Sequence, residues 1–96
     1  MIEHIIFFKV KSGKDEELHK ELRLFCKKAV AEIDGVEYAS AGENFCVNSG
    51  GHTHGMIIRI RDRKAMESYI AHPIHKKIAG ALPAFMESRI VVDYET

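Results

Sequence analysis

The order in which hydrophobic period changes along the chain constrains the fold more than any other feature. Residues 2–11 are rich in β-branched and aromatic side chains (Ile5, Ile6, Phe7, Phe8, Val10) and predict a strand. Leu18, Leu22, Phe25, Cys26, Ala29, Val30 and Ile33 then recur at three- and four-residue steps, one apolar stripe on a polar helix. Ser12 with Asp15 reads as its cap, the acidic residues that follow favour its positive end, and Asp34-Gly35 ends it. A weaker strand follows over 37–47, with Gly42 as an expected bulge, then the turn Asn48-Ser49-Gly50-Gly51 and a strong strand over 52–61. Asp62 caps a helix over 63–71. His72-Pro73 breaks it, because proline drives its predecessor extended and suits the first position of a new helix. A second helical piece over 74–82 stops at Pro83, and 89–94 is the last strand. The order is β, α, β, β, α, β. With right-handed crossovers it predicts a single α+β domain over 1–96, a four-stranded antiparallel sheet with its helices on one face.

Side chains alternate across a strand, so the two sheet faces separate. His4, Ile6, Phe8 and Val10 share one side of the first strand; Ile5, Phe7, Lys9 and Lys11 share the other. In the third strand His52, His54, Met56, Ile58 and Ile60 oppose Thr53, Gly55, Ile57, Arg59 and Arg61. The more apolar set is expected under the helices. The other set still carries Ile5, Phe7 and Ile57, too apolar for open water. A homodimer through that face is the expected cover, and a chain this short gains stability from one.

Charge narrows the partners. Lys plus Arg and Asp plus Glu number 14 each, so no net basic footprint for nucleic acid exists. The pairs Lys27-Lys28 and Lys76-Lys77 read as solvated helix faces. No apolar run is long enough for a membrane span, and the amino-terminal one is too short for a signal peptide, which predicts a cytoplasmic protein. Cys26 lies in the apolar stripe as a small buried hydrophobe, and Cys46 has no adjacent cation to activate it.

The chain holds six histidines, and their placement carries the chemistry. His4 and His54 fall on the helix-facing phase of two strands. Tyr69 lies on the inward stripe of the second helix with Met66 and Ile70, and His75 lies at the edge of the next stripe. Together they are expected to converge on the gap between sheet and helices. His52, at a strand start beside a glycine turn, is expected at the rim or lid of that pocket. His72 reads as structural before Pro73, and His19 as solvated among charged neighbours. Histidine takes and returns protons near neutral pH, and a tyrosine hydroxyl can hold an enolate oxygen. That pairing suits enolisation and carbon–carbon bond formation beside carbonyls, with no cofactor, on a small apolar ligand. His52-x-His54 and His72-x-x-His75 offer imidazoles to zinc, but no cysteine pair or neighbouring acidic cluster completes a site, so no metal is expected.

Four segments resemble the stress-responsive α/β-barrel (Dabb) family: the opening Met1-Ile-Glu-His-Ile-Ile-Phe-Phe-Lys-Val10, Gly51-His-Thr-His-Gly-Met-Ile-Ile-Arg-Ile60, Tyr69-Ile-Ala-His-Pro-Ile-His75 and Ile90-Val-Val-Asp-Tyr94. The resemblance implies a ferredoxin-like protomer and a dimer whose two sheets close into a barrel. Olivetolic acid cyclase-type members of that family perform a cofactor-free aldol cyclisation. By that likeness Tyr69 and His75 become the acid–base pair, and His4 and His54 line the pocket. His52 replaces a tyrosine of those members. Three functional readings stay open: a small lyase or cyclase, a non-catalytic stress-protective or ligand-binding dimer, and a metal-binding dimer.

Overall fold

A computed structural model describes residues 1–96. The elements are β1 (Ile2–Val10), α1 (Asp15–Glu32), β2 (Val36–Glu43), β3 (His54–Ile60), α2 (Arg63–Ala71), α3 (Pro73–Ala81), a 3-10 turn at Leu82–Ala84 and β4 (Met86–Glu95). The sheet order is β2-β3-β1-β4 and every pairing is antiparallel, the ferredoxin-like α+β arrangement. The core is the predicted one except at Val30 and Ile70, expected on the inward stripes of their helices but 46% and 50% exposed. Ile2, Ile6 and Phe8 of β1 and Met56, Ile58 and Ile60 of β3 are buried with Leu18, Leu22, Phe25 and Ala29 of α1 and with Ala65, Tyr69 and Ile78 of the later helices. Cys26 is buried, and burial pushes its thiol pKa up to about 11, which leaves it inert at neutral pH.

Local chemistry explains most of the boundaries. Asp62 accepts a hydrogen bond from the Ala65 backbone N–H at 2.8 Å and caps α2. Asp62→Ala is expected to cost about 1 kcal/mol, read as a fall in thermal midpoint of roughly 4–8 °C. His72 ends α2 and also starts α3, its Nδ1 accepting from the Ile74 N–H at 3.1 Å beside Pro73. The expected Ser12 cap is not formed. Gly13 takes φ +77° in a turn closed by the Lys14 N–H on the Lys11 carbonyl, so Ser12 lies before the cap position, which Lys14 holds without a side-chain bond. Asp15, Glu16 and Glu17 support that end through the helix dipole. Gly42 makes no bulge; it pairs with Gly55 in register, and the irregularity falls at Val36/Tyr38. β4 begins three residues earlier than the period suggests.

The two faces of the sheet differ as expected. Ile5 pairs with Ile57 and Val92, and Phe7 with Ile90, on the side away from the helices. Phe7, Ile90, Val92 and Tyr94 are each 40–49% exposed there. Glu3 on the same face is buried, held at 3.0 Å by Arg59, whose guanidinium lies 5.6 Å from the Tyr38 ring centroid. On the helix side β4 stays uncovered: Val91, opposite Ile6, is 44% exposed. That open edge positions the site. No helix is long and apolar enough to cross a membrane.

Candidate acid–base site

Three elements bring titratable groups together over β4. His4 on β1 stands opposite Asp93 on β4, and its Nδ1–H donates to the Asp93 carboxylate. With that nitrogen as donor, Nε2 of the neutral ring carries the lone pair. The buried Tyr69 ring meets His4 edge-on at 5.6 Å between centroids and His75 at 4.7 Å. His75 is in the first turn of α3, where the restart at Pro73 folds it back over Tyr69. Its Nδ1–H donates to the Ile70 carbonyl at 3.1 Å, so here too Nε2 is left as the basic nitrogen.

The environment pushes the two central groups apart. Burial holds the His75 imidazole below its ordinary pKa of 6.5; His4 and Arg89 add to this, and the Ile70 hydrogen bond opposes it. Burial raises the Tyr69 hydroxyl well above its ordinary range, with Cys26 and Asp93 adding and Arg89 opposing. At neutral pH His75 is a neutral base and Tyr69 a protonated donor. Separated pKa values of this kind mark acid and base assignments.

His54 does not join this cluster. Antiparallel pairing puts Ile58 opposite His4 and His54 opposite Phe8, four residues further along β1. The two histidines share a face of the sheet but stand at different levels along the strands. His54 is fully buried beside His19, with ring centroids 6.2 Å apart, and burial lowers its pKa. His19 is therefore not simply solvated, because α1 begins over that end of the sheet. His52 precedes β3; its Nδ1 lies 3.0 Å from the Ser49 carbonyl and its ring 6.1 Å from Phe7, away from Tyr69. The expected enclosed space between sheet and helices is filled by core side chains such as Phe8, Leu18, Leu22 and Ile58. His4 and Tyr69 are buried beside β4, whose Asp93 side chain is half-exposed. Asp93 borders an open cleft of about 380 Å³ that Ile2 and Met66 also line. Asp93 and Arg89 were not singled out in the sequence; the signal was two charges on the inward phase of an apolar strand.

The model of the stress responsive A/B barrel domain matches residues 2–96. The chain belongs to that family. Solved structures agree on the shape of this A/B barrel domain. It is similar to an Arabidopsis thaliana protein at 23% identity, with TM-score 0.87 and coverage of 100% of this chain and 95% of the other. A dimeric ferredoxin-like protein of unknown function from Jannaschia sp. gives 22%, 0.87, and 99% and 98%. A hydroxynitrile lyase from Passiflora edulis gives 14%, 0.84, and 97% and 90%. At these identities the likeness establishes the fold alone. No curated protein matches the chain by sequence.

Proposed function

We propose that this A/B barrel domain is a cofactor-free acid–base catalyst of the lyase or aldol-cyclase type, acting on a small apolar carbonyl compound. The observation that carries the proposal is the contact of a neutral His75, its Nε2 lone pair free, with a protonated Tyr69. His75 Nε2 takes the proton from the carbon beside the carbonyl. The electron pair moves to the carbonyl oxygen, where the Tyr69 hydroxyl donates a hydrogen bond and the nearby Arg89 cation favours the negative charge. The enolate carbon then attacks a second carbonyl, and the proton on His75 returns to the new alkoxide. In the lyase direction the same transfers run backward. His4, oriented by Asp93, positions the ligand from the β1 side. The fold's occurrence in a protein described as a hydroxynitrile lyase supports the reading. His54 and His52 have no part in it.

The test is exchange of the acidic α-proton of small β-dicarbonyl compounds in deuterated buffer, followed by NMR. The wild type is expected to accelerate exchange, and Tyr69→Phe to lose about 10²-fold of that rate, as for one removed oxyanion donor. Exchange no faster than buffer across the panel would leave a non-catalytic binding domain in its place.

The same proposal includes a homodimer through the face bearing Ile5, Phe7 and Ile57. The structure adds Ile90, Val92 and Tyr94 to that apolar surface, and several proteins of this shape are described as dimeric. Ile57→Asp places a charge at its centre. Sedimentation is expected to show a dimeric wild type and a monomeric variant with unchanged helix content. A monomeric wild type would refute the pairing.

A further inference from the structure

At the far end of β3 from the acid–base site, three elements converge. His19 of α1, Glu43 at the end of β2 and His54 at the start of β3 each offer a ligand atom, all within 4.8 Å of one another. His54 is 1% exposed, and its Nε2 is buried with no hydrogen-bond partner. His19 Nδ1 is in the same condition. A buried polar atom left unsatisfied is destabilising, and two side by side call for a shared partner.

The protonation of His54 follows from its neighbours. The Thr53 hydroxyl donates its only proton to the Phe8 carbonyl at 3.3 Å and accepts from the Val10 N–H at 3.1 Å. Its 2.9 Å contact with His54 Nδ1 is therefore an N–H of the imidazole donating to oxygen. The lone pair of His54 is left on Nε2, the orphaned atom. A ring fixed through its other nitrogen is the usual state of a metal-binding histidine.

We propose that His19, Glu43 and His54 form a binding site for a divalent zinc-like cation that ties the start of α1 to the ends of β2 and β3. Two imidazoles and one carboxylate suit a borderline divalent ion and leave a fourth position for water. Bonds of about 2.1 Å in a tetrahedron set ligand atoms roughly 3.4 Å apart, closer than the present limit of 4.8 Å. Glu43 is exposed at a strand end and can supply the closing movement. The site is separate from the one proposed above. It differs from the histidine pairs that the sequence suggested, since His52 lies outside it.

The experiment uses tag-free, chelator-treated full-length protein titrated with Zn²⁺ by calorimetry, with Co²⁺ as an optical probe. One ion per chain is expected, with a visible Co²⁺ band of tetrahedral type and a raised thermal midpoint. Loss of even an outer-shell partner weakens metal binding about 10–100-fold. Glu43→Gln and His19→Gln are each expected to weaken Zn²⁺ by at least that much, while His52→Gln binds as the wild type does. Glu43 is exposed, so its variant keeps the fold and the comparison stands even where a histidine variant unfolds. Absence of saturable binding would overturn the proposal and leave a water between the two imidazoles. Wild-type affinity in Glu43→Gln would overturn it equally.

Discussion

His75→Gln is expected to lower kcat/KM about 10²–10⁴-fold, the usual worth of a positioned general base. The amide fills a similar volume, so packing around Tyr69 is retained. What disappears is the basic Nε2, which the Ile70 hydrogen bond leaves unprotonated and burial keeps neutral at pH 7. The side chain is half-buried, so the thermal midpoint is expected to fall by only a few degrees. Steady-state kinetics and thermal unfolding of the same samples separate a chemical role from a structural one. Tyr69 is less forgiving: its ring is 1% exposed and packs on Phe25 as well as on His4 and His75. Only the removal of its hydroxyl, as in Tyr69→Phe, reports on chemistry.

The largest effect on stability is expected at Gly35. This residue connects α1 to β2 at φ +89°, where a side chain is strained whatever space surrounds it. A Cβ there would also stand 2.6 Å from Cβ of Ala65, in the first turn of α2. The left-handed backbone costs about 1–2 kcal/mol and the forced shift of packed elements about 1–3 kcal/mol more. Gly35→Ala is therefore expected to lose roughly 2–5 kcal/mol, a large part of the stability of a domain this size. Denaturant unfolding measures it. In an Ala65→Gly background the clash is gone and only the backbone term remains, so the same substitution costs less there. Equal costs in both backgrounds would contradict the close approach.

The fold was legible because the period of the apolar residues changes with each element, and each change is marked by glycine, proline or an aspartate cap. The faces of β1 and β3 followed from alternation alone. Position along the strands did not, because alternation carries no information on register. His4 and His54 share a face, yet pairing separates them by four residues. The His4–Asp93 contact joins residues 89 apart in sequence, and only the β1–β4 register reveals it. The meeting of His19 with His54 depends on where α1 crosses the sheet, which no local pattern encodes. The Tyr69–His75 contact was the legible part of the site, since both lie in one short helix–break–helix segment.

The pH dependence of kcat/KM for α-proton exchange, in the wild type and in His75→Gln, tests the acid–base site most directly. His75 acts unprotonated and its pKa lies below 6.5, so the wild-type rate is expected to rise with pH along a limb centred below 6.5 and to be level through neutrality. Tyr69, held protonated well above its ordinary pKa of 10.0, gives no loss of activity on the alkaline side below that value. The residual rate of His75→Gln is expected to lack the acidic limb. A limb centred above 6.5, or one that survives unchanged in His75→Gln, would contradict the assignment of His75 as the base.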